Sequence, residues 1–115
     1  MQINVTGRHL EITEAIRGYC VGKLEHALAD VPRLTHVHVV LAVEKHRQQA
    51  EIVLQALHHT MEARAESDDL YASIDAAVEK VRRQVDKQRD RIADHKGQVR
   101  PDLGGQGRAD TWPSR

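Results

Sequence analysis

Polar and apolar residues alternate at the start of the chain. Ile3 and Val5 are set between Gln2, Asn4 and Thr6, and the run closes on Gly7. A period of two over residues 2–7 predicts a short strand with one buried face. The period then changes. Ile16, Cys20, Leu24, Ala27 and Leu28 recur at helical spacing, with Tyr19 on the flank, so one stripe of a helix faces a core. Thr13 is a suitable N-cap and Glu14 is favourably placed in the first turn. Pro32 cannot continue a helix, which is therefore expected over about residues 14–29. Gly18 and Gly22 lie inside it, off the stripe, each costing about 1 kcal/mol relative to Ala. They fit either an exposed, tolerant face or the close approach of a partner.

Alternation returns from Leu34 to Glu44, where Val37, Val39, Leu41 and Val43 are expected to face inward. The polar stretch Lys45-His46-Arg47-Gln48-Gln49 reads as a loop, and Ala50, Ile52, Leu54 and Ala56 define a third strand. A tight hairpin is expected at His58-His59, although neither residue is a good turn former. Thr60 to Glu66 makes a fourth strand, with Met61, Ala63 and Ala65 inward and Glu62, Arg64 and Glu66 outward. Ser67-Asp68-Asp69 opens a long helix carrying Leu70, Ile74, Ala77, Val78, Val81, Val85 and Ile92 at steps of three and four. Its expected end is near His95, before Gly97.

The element order is β-α-β-β-β-α. A right-handed crossover would make the first two strands parallel, and short loops make the others antiparallel. Two helices on one face of a four-stranded mixed sheet give a two-layer α/β (α+β) sandwich. This expected domain covers residues 1–96. Residues 97–115 are rich in Gly and Pro with almost no apolar pattern, and are expected to form a disordered C-terminal tail. Trp112 is its one large apolar group.

Composition narrows the possibilities. The chain has 115 residues, 40% hydrophobic and 30% charged, with no Phe, so the core must come from Val, Ile, Leu and Ala. No apolar run approaches the roughly 18 residues a membrane span needs. No secretory leader is recognised at Met1–Val5. Cys20 is the only cysteine, which excludes an internal disulfide and suits a reducing, cytoplasmic setting. Formal net charge is zero. That counts against a simple nucleic-acid binder unless charge is segregated in space.

It is segregated along the second helix. Lys80, Arg83, Lys87 and Arg91 follow steps of three, four and four, which aligns four cations on one stripe. Asp75, Glu79, Asp86 and Asp90 fall on the other flank, with Arg82 and Arg89. The ridge can neutralise phosphates; a solvated face laced with local ion pairs would produce the same pattern. Lys23, near the buried stripe of the first helix, can lay its methylenes on apolar surface and bring its ammonium into the interhelical groove. Arg17 and Arg8 are further candidates to join the ridge.

The residues offer little to an enzymatic reading. The eight His include His36 and His38 on one strand face, but no third ligand stands at a diagnostic spacing and no HExxH motif is present. No metal or other cofactor is expected. Cys20 lies on the buried stripe and reads as a structural thiol. Nucleotide-binding glycine motifs and the GxSxG elbow are absent. Histidine protonation below neutrality would add positive charge, so RNA affinity should rise as pH falls.

Two segments, with the Val39–Lys45 strand between them, carry a resemblance. The first is Ile3-Asn4-Val5-Thr6-Gly7-Arg8 leading into Glu11 to Arg17. The second is Asp69-Leu70-Tyr71-Ala72-Ser73-Ile74-Asp75, followed by Lys80, Gln84, Lys87, Arg89 and Arg91. Over about residues 1–95 the chain resembles the ribosome hibernation promoting factors and ribosome-associated inhibitors, also called sigma-factor modulation proteins. The resemblance implies a βαβββα domain. It implies no catalysis, but binding of small-subunit ribosomal RNA in the decoding channel, where mRNA and tRNA are blocked sterically. It implies translation regulation through idle ribosomes, in stress and stationary phase. A protein that is monomeric when free suits a factor that must enter a narrow channel. Implied RNA contacts are Lys80, Arg83, Lys87, Arg89 and Arg91, with Arg82, Lys23 and Arg8. No membrane or small-molecule substrate is implied. The alternative is a protein-binding regulator such as a sigma-factor modulator. This chain differs from the family in its neutral net charge, in His58-His59 where a glycine-rich turn is usual, and in its tail, which is too short for a second, dimerising domain.

Overall fold

The computed structural model describes residues 1–97, with side chains through residue 91. The order is β1 (Gln2–Arg8), α1 (Glu14–Ala27), β2 (His36–Glu44), β3 (Arg47–Ala56), β4 (His59–Ser67) and α2 (Leu70–Gly97). The sheet order is β1-β2-β3-β4. β1 runs parallel to β2, and the next two pairings are antiparallel. The expected mixed sheet and βαβββα sandwich are therefore present. The tail and Trp112 fall, beyond Gly97, outside the described residues.

Register explains why one face is apolar. Ile3, Val37, Leu54 and Met61 lie side by side across the four strands, and the next row is Val5, Val39, Ile52 and Ala63. The third is Gly7, Leu41, Ala50 and Ala65. Small residues accumulate toward β4, where α2 packs against the sheet, and leave room for its Ile74, Val78, Val81 and Val85 at native packing density. Gly7 has a local reason too: a Cβ there would collide with the Leu10 carbonyl oxygen. Cys20, Leu24 and Leu28 add the α1 contribution to the core. Val43, expected inward, is only half-buried at the strand end.

Both helix starts behave as their residues dictate. Thr13 Oγ1 accepts the Ile16 N–H at 3.2 Å. Asp69 does the same for α2, its Oδ1 accepting the Tyr71 N–H at 3.1 Å. Among the described residues, Ser73 is the one buried polar residue, and it is satisfied: its hydroxyl donates to the Gln48 carbonyl at 2.6 Å and sits 2.7 Å from Ser67 Oγ.

The expected loop at residues 45–49 is shorter than its polarity suggested. Glu44 pairs with Arg47, so Lys45-His46 alone makes the turn, and Gln48 and Gln49 join β3. Backbone pairing outweighs polar composition there. The last hairpin is shifted by one residue from expectation. Ala56 pairs with His59, which makes Leu57 and His58 the central residues, with φ of 56° and 65°. Two left-handed residues in a two-residue turn match the twist of the flanking strands, at a steric cost that Gly would avoid. Arg33 also has φ 59° and donates to His58 Nε2 at 2.9 Å.

Candidate nucleic-acid interface

Helical spacing distributes the cations of α2 onto two sides. Lys80, Arg83, Lys87 and Arg91 are exposed on one side. Lys80 Nζ donates to the Arg64 carbonyl at 2.8 Å, and Gln84 donates to the Glu62 carbonyl. These two side chains cover outward carbonyls of the edge strand β4, which would otherwise invite pairing by another chain. Arg83 lies 3.7 Å from Glu79, a loose and exposed i,i+4 pair of little energetic weight.

Arg82 and Arg89 lie on the opposite side, facing α1. Arg82 donates to the Ala27 carbonyl at 2.7 Å and to Asp30 at 2.7 and 3.3 Å, and pairs with Asp86 at 2.9 Å. Arg89 reaches Asp30 at 3.3 Å. The hydrogen bonds from Arg82, reinforced by Arg89, hold the Asp30 carboxyl well below the ordinary carboxylate range. Asp30 in turn, with Asp86, raises the already high Arg82 pKa. The fork of Arg82 thus satisfies a carbonyl at the C-terminal end of α1 and ties that end to α2. The sequence had already placed it among the acids of this flank.

Between the helices runs a cleft lined by Lys23, His26, Ala72, Asp75, Glu79 and Arg82, among others. Lys23 emerges into it as its position on α1 suggested, 3.3 Å from Asp75. Tyr19 donates to the same Asp75 oxygen at 2.6 Å. That hydrogen bond, then burial, pushes the phenol up to about 12, so it remains a donor.

Arg8 is not brought to the ridge. It alternates with Val5 along β1 and falls with Asn4 and Thr6 on the face of the sheet that carries no helix. His36 and His38 are on this face as well, with His38 Nε2 3.2 Å from Thr6 Oγ1. No cluster of three or more His, Cys, Asp or Glu side chains suited to a metal occurs among the described residues. Cys20 is fully buried, and desolvation pushes its thiol up to about 11, the setting of an unreactive thiol. Among the described residues, no helix is long and apolar enough to cross a membrane.

Comparison with known proteins gives these features a family. The model described as sigma 54 modulation protein / S30EA ribosomal protein matches residues 3–93. The ribosome hibernation promoting factor of Pseudomonas putida is 37% identical over 91 residues, covering 79% of this chain and 89% of that one. Its Escherichia coli counterpart is 37% identical over 95 residues, covering 83% of this chain and all of that one. Among solved structures, the N-terminal domain of Thermus thermophilus Protein Y superposes with a TM-score of 0.70 at 36% identity, covering 76% of this chain and 99% of that domain. The chain belongs to the sigma 54 modulation protein / S30EA ribosomal protein family, which includes the ribosome hibernation promoting factors.

Proposed function

We propose that this protein is a ribosome hibernation factor that binds small-subunit ribosomal RNA in the decoding channel and excludes mRNA and tRNA from idle ribosomes. The observation that carries this reading is the exposed ridge of Lys80, Arg83, Lys87 and Arg91 on α2, in a chain homologous along most of its length to hibernation promoting factors. A stripe of cations on a rigid helix suits RNA that is recognised by shape and phosphate position. Inhibition is steric and requires no cofactor or catalytic step. The protein acts as a monomer in the cytoplasm. Lys23 contributes from the cleft, while Arg82 and Arg89 serve chiefly to fix the two helices against each other, and Arg8 lies apart.

The test is sucrose-gradient co-sedimentation with ribosomes at two salt concentrations. Protein should travel with small subunits and whole ribosomes at low salt and leave them at high salt. Protein remaining at the top of the gradient at low salt overturns the reading. A second reading, regulation of a sigma factor, draws on the family description and on the sheet face left without a helix. It predicts recovery of a sigma factor without ribosomes, by binding that survives charge reversal of the ridge.

A further inference from the structure

The chain has two tyrosines and no Phe, and folding brings both tyrosines together. Tyr19 of α1 and Tyr71 of α2 pack edge to face, with centroids 4.8 Å apart and planes at 87°. Tyr19 is held by its bond to Asp75, and Lys23 Nζ stands 5.9 Å over its ring. Tyr71 remains 39% exposed, one of two large hydrophobic side chains so exposed among the described residues. An edge-to-face pair occupies at most one face of either ring, so Tyr71 keeps a face that Tyr19 does not cover.

A part-exposed aromatic ring packed against a second ring, which itself lies under an ammonium that now pairs with Asp75, is an arrangement that can receive an unstacked nucleobase and its phosphate. We propose that Tyr71, backed by Tyr19, is a stacking platform for a single unpaired base of the ribosomal RNA, with Lys23 placed for the adjoining phosphate. This deepens the hibernation reading and rests on it: the α2 ridge supplies charge, and the tyrosine pair supplies a contact that salt does not screen.

The experiment measures ribosome affinity of wild type and of Tyr71→Phe, Tyr71→Leu and Tyr71→Ala at several salt concentrations, with base-specific chemical probing of the bound ribosomal RNA. Melting temperatures confirm that each variant is folded. Stacking predicts that Tyr71→Phe binds as wild type, whereas Tyr71→Leu and Tyr71→Ala lose about tenfold or more in affinity. Their salt slope should be unchanged, because no phosphate contact is removed. One base protected by wild type and Tyr71→Phe should become reactive with Tyr71→Ala. Salt-dependent binding by wild type with equal affinity of Tyr71→Ala overturns the platform and leaves the hibernation reading standing. Full affinity of Tyr71→Leu overturns it in favour of an apolar contact with a ribosomal protein. Failure of the wild type to bind ribosomes at all removes both.

Discussion

Arg82 and Asp30 lie 2.7 Å apart, just past the C-terminal end of α1, with Arg89 on the same carboxylate at 3.3 Å. This pairing joins the chain just after α1 to the middle of α2, so it sets how the two helices present themselves to a partner. The loss of α1 packing freedom is shared between ions and apolar contacts, since Leu24 and Leu28 are buried against the same core.

The carboxyl of Asp30 is held below its ordinary value of 3.8 by Arg82 first. Its folded pKa is depressed, so its contribution to stability is fully present above the unfolded value. It is lost as pH falls from 3.8 toward the folded value. Asp30→Asn should melt at a lower temperature than wild type at neutral pH, and the two curves should converge in acid below 3.8. A gap that persists unchanged in acid would mean that the ionised carboxylate contributes nothing.

Arg82 and Arg83 are adjacent yet should fail differently. Arg82→Ala loses a bond to the Ala27 carbonyl and two acidic partners, and should lower the melting temperature. Arg83→Ala should leave the melting temperature unchanged and flatten the salt dependence of ribosome binding by about 0.7–0.9 in log–log slope, one phosphate contact's worth. Thermal melts and salt titrations of both variants check this.

Charge reversal of Lys80, Arg83 and Lys87 together should abolish ribosome co-sedimentation while circular dichroism remains that of the folded protein. Lys80 gives up an exposed hydrogen bond to the Arg64 carbonyl in the process, a net loss of about 1–2 kcal/mol. Unchanged sedimentation would remove the ridge from the interface.

His58→Gly should raise stability by about 1 kcal/mol, because His58 holds φ 65° in the last hairpin and glycine removes the steric cost of a left-handed residue. Denaturant melts measure it. A loss of stability would show that the 2.9 Å contact with Arg33 outweighs the strain.

Leu24→Ala should cost about 2–5 kcal/mol, as expected for a side chain with no exposed surface that leaves a cavity behind. Denaturant unfolding checks it, and a cost below about 1 kcal/mol would mean that α1 collapses onto the gap.

Sequence alone was sufficient for the element order and for the buried stripes. Val37, Val39 and Leu41 alternate, while Ile74, Val78, Val81 and Val85 recur at helical steps, and burial is what such periods record. It also separated the ridge of Lys80, Arg83, Lys87 and Arg91 from the acidic flank, because helical spacing is a local property. Turn limits were less legible. Gln48 and Gln49 entered β3 and the last turn moved to Leu57-His58, since strand pairing is settled between segments rather than within one. Only tertiary structure decided which cations serve the fold. Arg82 meets Asp30, Lys80 meets the edge of β4, and Tyr19 meets Tyr71 through contacts between residues far apart in the chain. No local period encodes such contacts, because they depend on how α1 and α2 settle side by side on the sheet.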